Sequence, residues 1–356
     1  MAKALVFSDL HIHNHKGSVD RLHDCLEVLR WVFEVATKEE CESILFLGDL
    51  FHDRSKIDVL TYLKTFEVFV EYMVTKKSPF QVYLLVGNHD MYHRERWDVN
   101  SVKPLNVIPN VDIIDSPCTK VISGVPVDFL PFTANPLDDI QKLKVKREAD
   151  ILLSHLAVNG AVLNRVYGTK ADVIVEYDNE MTPITADIFT DWKLTLLGHY
   201  HAAQMLNDRV EYVGSPLQLS YGEAAQKKHV ILLDLNTLDK KYIDNTFSPQ
   251  HYIIPPSQID EHNLDGHFVR VVVDDMGRKD LVDIRKEILS KYKVATFDFK
   301  EDDKKPEKDQ KVVDEVKASM HNLDDMLRTY LEVANTKGLD KSKLLKIGEE
   351  LCQVLE

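Results

Sequence analysis

Ser43–His52 reads SILFLGDLFH, an aliphatic and aromatic run that ends in a glycine, a carboxylate and, three residues on, an imidazole. A short apolar run bounded in this way is a buried strand that hands its next residues to a loop. The same pattern recurs in Ala4–His13 (ALVFSDLHIH), Val82–Asp90 (VYLLVGNHD), Ile151–His155 (ILLSH) and Leu194–His201 (LTLLGHYH). Helical spacing fills the gaps between the first three runs, over Val19–Ala36 and Val59–Met73. Strands alternating with helices predict an α/β sheet covered on both faces. Two later strands, Arg209–Val213 and His229–Asp234, predict a second sheet. The expected fold class is therefore α/β, with a β-sandwich core flanked by helices.

Each run delivers candidate metal ligands. Asp9 and His11 form D-x-H, Asp49 and His52 sit in G-D-L-F-H, Asn88, His89 and Asp90 form G-N-H-D, His155 stands alone, and His199 and His201 form G-H-x-H. Residues two apart in an extended chain point the same way, so Asp9 and His11 are expected to share an ion. The carboxyl ends of the strands, where open α/β sheets place their sites, would bring all five motifs into one cleft. The donor set is carboxylate, imidazole and one amide oxygen, without thiolate. That disfavours structural zinc, and the several histidines disfavour a pure Mg²⁺ site. Manganese or iron, as two Mn²⁺ or two Fe²⁺ ions, fits best, with Mg²⁺ still possible. Ions about 3.5–4 Å apart, bridged by Asp49, would clamp a phosphate and acidify a bridging water. A lone D-x-H is usually a surface accident, and a lone histidine after a strand is usually a core residue. Together and in order, the motifs decide the class.

A net charge of −14 argues against a broad basic platform for nucleic acid, whose affinity comes largely from phosphate contacts. It leaves room for a local one. Lys16, Arg54, Lys56, His93, Arg94 and Arg96 all fall close to the metal motifs, and solvated loop charges are the plain alternative for each. Cys25, Cys41, Cys118 and Cys352 are scattered without C-x-x-C, which predicts reduced thiols and a cytoplasmic location. The opening residues have no leader pattern, and no apolar stretch approaches the roughly 20 residues of a membrane span.

The chain divides by composition into 1–245, carrying the motifs, and a linker over 246–265 with Pro249, Pro255 and Pro256. A small βαβ cap follows over 266–300: strand His267–Asp274, helix Lys279–Tyr292, strand Val294–Phe299. Residues 301–311 are a charge-dense tether without apolar residues. Over 312–356, Val313, Val316, Met320, Leu323, Leu327 and Tyr330, then Leu344, Ile347, Leu351 and Leu355, recur at helical spacing. They predict a pair of amphipathic helices, with Gly338 and Asp340 as stop and new N-cap.

The five motifs resemble the calcineurin-like metallophosphoesterase superfamily. More narrowly, His52, Ser154–Ala161 (SHLAVNGA) and Tyr212–Glu223 (YVGSPLQLSYGE) resemble the nuclease subunits of double-strand-break repair complexes, the bacterial SbcD type and its phage counterparts. The likeness covers 1–245 well, and the last hundred residues in organisation only. It implies a four-layer metallophosphoesterase sandwich and a manganese nuclease that cleaves double-stranded DNA 3′ to 5′ and single strands internally. By the same resemblance Asp9, His11, Asp49 and His201 would hold one ion, and Asp49, Asn88, His155 and His199 the other. His89 would protonate the leaving oxygen, oriented by Asp90, and His52 would help place the DNA backbone. The resemblance further implies a homodimer through the helix at 58–75, which has almost no polar face, and docking of the C-terminal helices on an SMC-like coiled-coil ABC ATPase. Burial of the first helix under the Trp97–Ile108 loop, and mutual packing of the C-terminal pair, are the alternatives. Two other functions are weighed: a small-molecule phosphodiesterase or protein phosphatase on the same scaffold, and a non-catalytic docking scaffold.

Overall fold

The computed structural model describes residues 2–14, 18–93, 95–146, 148–164, 169–170, 174–177, 180–274, 277–301, 340 and 343–346. It is mixed α/β, built around two six-stranded sheets. In the first, β1 (Lys3–Phe7), β2 (Ser43–Phe46) and β3 (Gln81–Leu85) run parallel, with Val111–Ile114 parallel beyond β3. In the second, Val125–Leu130, Ile151–His155, Leu194–Gly198 and Val210–Tyr212 run parallel between antiparallel edge strands. The sheets face each other across one apolar layer in which Val6, Leu45, Leu47 and Leu85 meet Val127, Phe129, Leu153 and Leu196.

Helices close both outer faces. Helix α1 (Val19–Lys38), capped by Ser18, and α2 (Val59–Phe69), capped by Asp58, bury Leu22, Leu29, Phe33, Val68 and Phe69 on the first sheet. Helix α3 (Pro136–Lys146) and the turn Ala186–Phe189 cover the second with Ile140, Leu143, Phe189 and Trp192. The result is the four-layer arrangement expected from the sequence.

Three details differ from the sequence reading. His229–Asp234 does not join the second sheet; it pairs antiparallel with β1, Ile231 opposite Val6. An apolar run records that a strand is buried, not which neighbour accepts its hydrogen bonds. The helix at 58–75 changes pitch after Phe69, and Val70–Thr75 is π-helical. The wider turn brings Tyr72 and Met73 inward beside Phe69, yet Val59 stays 83% exposed, with Leu60 and Leu63 exposed alongside. Finally, the proline-rich stretch read as a linker contains a strand, His251–Ile254, parallel to Phe268–Val273. Pro255 and Pro256 end that strand rather than unstructure the segment.

The strand Phe268–Val273, helix α4 (Arg278–Lys291) and the strand Thr296–Glu301 follow in order, and a three-stranded sheet holds His251–Ile254 beside the two strands. The chain divides into two compact units, Met1–Val271 with Arg278–Asp298, and Val272–Gly277 with Phe299–Glu356. The expected tether and most of the C-terminal helical pair, like Lys16 and Arg94, lie outside the described residues. In the second unit, Asp340 accepts the backbone N–H groups of Lys343, through its side chain at 3.4 Å, and Leu344, through its carbonyl at 3.1 Å. No helix of the described residues is long and apolar enough to cross a membrane. Cys25 and Cys41 are buried thiols, both pushed up to about 11 by burial.

Candidate metal centre

All five motifs lie at or just beyond the carboxyl ends of their strands, three from the first sheet and two from the second. The chain does not continue extended through them. Asp9 (φ 55°), His11 (φ 47°), Asp49 (φ 62°) and His199 (φ 97°) have the left-handed backbone uncommon for side-chain-bearing residues. Asp9 and His11 therefore converge because the chain coils past β1, not by strand alternation. Strain of this kind, of order 1–3 kcal/mol per residue, gathers at functional sites. The turns are held by hydrogen bonds from Asp9 N to Gly48 O (3.0 Å) and from His11 N to Asp49 O (3.0 Å).

The glycines serve close approach more than turning. Only Gly48 has positive φ among the motif glycines. A Cβ on Gly87 would lie 2.2 Å from Asp49 Oδ1, and one on Gly198 would lie 2.2 Å from Ser8 Oγ.

Three groups of donor atoms lie within 4.8 Å of one another: His11 with His52 and His89, and two that hold carboxylates, the first Asp9 with His11 and His201, the second Asp49 with His155 and His199. Asp49 faces both: its Oδ2 is 3.5 Å from His11 Nε2 and 3.4 Å from His155 Nε2. Asn88 Oδ1 enters the second group, 3.0 Å from His155 Nε2 and 2.8 Å from His199 Nδ1. In the first, His201 Nε2 and His11 Nε2 are 3.1 Å apart. His155 donates its Nδ1 proton to Leu47 O (2.6 Å), and His201 gives its own to Glu223 Oε1 (2.9 Å). Each ring thereby turns its Nε2 toward the carboxylates.

Asp9, Asp49 and His155 are wholly buried, so their charges must be compensated nearby. Burial alone would raise Asp9, but the hydrogen bond with His11 and the charges of His155 and His201 leave it at about 2. Burial likewise opposes ionisation of Asp49, and His155 and His11 carry it far below the ordinary carboxylate range. Against its own burial, His155 is held at about 9 by Asp49. A proton on His155 reconciles the acceptor atoms of Asp49 and Asn88 that face it, and a divalent cation does so equally. The donor chemistry fits two such ions.

The other predicted residues lie around this cluster. Asp90 does not orient the His89 ring. Its Oδ2 accepts the N–H groups of Asp49 (2.8 Å) and Gly87 (3.0 Å), and its Oδ1 that of Leu50 (3.1 Å), so it ties two motif loops together. Burial and the Asp49 charge raise it to about 7. The His89 ring is held instead through Nδ1, which donates to the His52 carbonyl at 2.5 Å. His52 stacks on His89, with centroids 5.6 Å apart, and on His13 at 4.3 Å. Of the cations proposed for a local patch, Lys56 and His93 are exposed and Arg96 is bound by Asp98 (2.6 Å).

Sequence reasoning missed His13 and Glu223. The second histidine in HIHNH was a visible signal for the first; Glu223 closes the stretch YVGSPLQLSYGE, but nothing there marks its contact with His201, 22 residues before it.

Fold and site together define a metal-dependent phosphoesterase. The chain belongs to the calcineurin-like phosphoesterase family, whose profile matches residues 2–203. Protein 078R of Invertebrate iridescent virus 3, named as a phosphoesterase, is 22% identical over 55% of this chain and 53% of its own length. The SbcD component of the Escherichia coli K12 nuclease SbcCD is 22% identical over 68% of this chain and 67% of its own. The chain thus spans about half of the viral relative and two thirds of the bacterial one. Among solved structures, a dimetal phosphatase from Danio rerio is 8% identical over 68% of this chain and 98% of that one, with a TM-score of 0.38, too slight a likeness to bear on function.

Proposed function

We propose that the protein is a two-metal nuclease that hydrolyses DNA phosphodiesters, with Mn²⁺ as the working ion. The observation that carries the reading is Asp49, one carboxylate oxygen facing both donor groups. Asp9, His11, Asp49 and His201 would hold one ion, and Asp49, Asn88, His155 and His199 the other. Bound there, the ions supply Lewis acidity to the phosphate and a nucleophilic water at neutral pH. The chain's own residues do the rest: Asp90 fixes the loops, and His89, its Nδ1 committed to His52, keeps Nε2 for exchanging a proton with the leaving oxygen. DNA as substrate is supported by the likeness to the bacterial nuclease component over two thirds of its length. Labelled double-stranded DNA should be cut in Mn²⁺, scarcely in Mg²⁺ alone and not in EDTA. Full cleavage in EDTA would sink the two-metal reading. A protein that hydrolyses bis-p-nitrophenyl phosphate in Mn²⁺ but leaves DNA intact is instead a small-substrate phosphodiesterase, the reading favoured by the −14 charge and the Asp98-bound Arg96.

The same reading assigns two partners. The exposed Val59, Leu60 and Leu63 suit a second copy of the chain, and the helical pattern over 312–356 suits a coiled-coil ATPase. Light scattering with and without such an ATPase tests both. Leu60→Glu should yield monomers that still bind the ATPase, and Leu323→Glu should yield dimers that do not. Variants indistinguishable from the parent would remove both assignments.

A further inference from the structure

Glu223 touches His201 without belonging to either donor group, and its surroundings are built for that contact. The residue is 7% exposed, and its partner Lys228 is 6% exposed. Its Oε1 accepts from His201 Nδ1 at 2.9 Å; its Oε2 accepts from Lys228 Nζ (2.6 Å), Ser215 Oγ (3.2 Å) and Leu219 N (3.2 Å). A buried carboxylate so fully hydrogen-bonded is held rigidly in place. Lys228 in turn donates to the carbonyl of His201 (2.9 Å) and to Ser215 Oγ (2.8 Å). Ser215 N donates to that carbonyl as well, at 3.1 Å. Ring and backbone of His201 are thus gripped by one cluster. Gly214 permits the grip: at φ 72°, a Cβ there would come within 2.7 Å of Ala203 N and 2.9 Å of His201 O.

The two donor groups differ in this respect. His155 gives its outer proton to a neutral carbonyl, that of Leu47. His201 gives its own to a carboxylate. A carboxylate acceptor makes the ring a more basic donor at its other nitrogen and fixes its tautomer. We propose that Glu223 is a positioning residue that acts through His201 to set the affinity of the ion shared with Asp9 and His11, with Lys228 as its counter-charge. The inference rests on the two-ion reading above. It adds an asymmetry: the Asp9–His11–His201 ion is the one whose affinity depends on a remote charged pair.

Calorimetric titration of the full chain with Mn²⁺, beside electron paramagnetic resonance of the bound ions, tests this without any activity assay. The parent should bind two spin-coupled ions. Glu223→Gln keeps shape and an acceptor oxygen but removes the charge; it should weaken one ion by about 10–100-fold and leave the other unchanged. Because that variant leaves the buried Lys228 facing no Glu223 charge, Glu223→Gln/Lys228→Met, which removes both charges, is measured beside it. The double variant should melt cooperatively and show the same selective loss. Parent-like affinity at both sites in the two variants overturns the inference, as does equal weakening of both ions, the mark of general damage. A parent that fails to bind two ions overturns the two-ion reading itself, a result visible before any variant is examined.

Discussion

Asp49→Asn is expected to reduce turnover by roughly 10³-fold or more and to leave the protein holding at most one tight ion. Asparagine is the substitution that isolates the charge. It tolerates the left-handed backbone that Asp49 occupies at φ 62°. Its amide oxygen can still accept the His89 N–H that now meets Asp49 Oδ1 at 2.7 Å. The backbone N–H of residue 49 still donates to Asp90, so the loop keeps its anchor. What disappears is the negative charge that faces both donor groups. Metal stabilisation of a developing phosphate charge is worth several kcal/mol, and each ~1.4 kcal/mol is tenfold in rate. A secondary effect has the same origin: His155, held at about 9 by Asp49, should lose its proton more readily, which nuclear magnetic resonance of its ring would read. Metal counting by mass spectrometry under native conditions, with steady-state rates on DNA, checks the main claim. An Asn variant that keeps two ions and works within tenfold of the parent would refute the bridging role.

How much of this was readable beforehand divides along a physical line. The residues that gather at the centre were legible because each lies within a few positions of a strand end, and a buried strand announces itself by its apolar run. Quantities set by distant packing were not. His229–Asp234 reads equally well as a strand of either sheet; its place beside β1 depends on the whole sandwich closing. Asp9 and His11 were paired for the wrong reason, since alternation holds only while φ stays extended, and both residues have left it. Gly87 and Gly198 are gaps left for neighbours, Asp49 Oδ1 and Ser8 Oγ, that follow other strands, and no local pattern names those neighbours. Asp90 sits next to His89 in sequence, and the family resemblance implied that it orients the ring. The side chain instead points to the amides of Asp49 and Leu50, because those unpaired N–H groups needed an acceptor. Glu223 was invisible for the corresponding reason: its meaning lies in His201 and Lys228, and no local pattern records either contact.

His89→Ala is expected to lose activity by about 10²–10⁴-fold, the usual contribution of a positioned proton donor, while both ions stay bound. The structure gives a reason to expect that separation. The backbone N–H of His89, not its ring, contacts Asp49, and alanine keeps it. Asp90 continues to hold the Gly87 and Asp49 amides, so the turn that presents Asn88 has its support. The ring itself is half-buried, hydrogen-bonded to the His52 carbonyl through Nδ1 and packed edge-on to His11 at 4.8 Å. It can therefore be removed without unlinking a carboxylate. Burial pushes His89 below its ordinary value of 6.5, with the Asp49 charge and the His52 carbonyl partly offsetting that shift. The removed imidazole leaves room for a small replacement, so added imidazole should restore part of the lost rate. His199→Ala is the contrast: its Nδ1 lies 2.8 Å from Asn88 Oδ1 inside a donor group, and its loss should cost an ion. Calorimetry with Mn²⁺ on the two variants reads the difference. If both lose metal to the same degree, or if His89→Ala keeps both ions and full activity, His89 is not the proton donor and the leaving oxygen must take its proton from elsewhere.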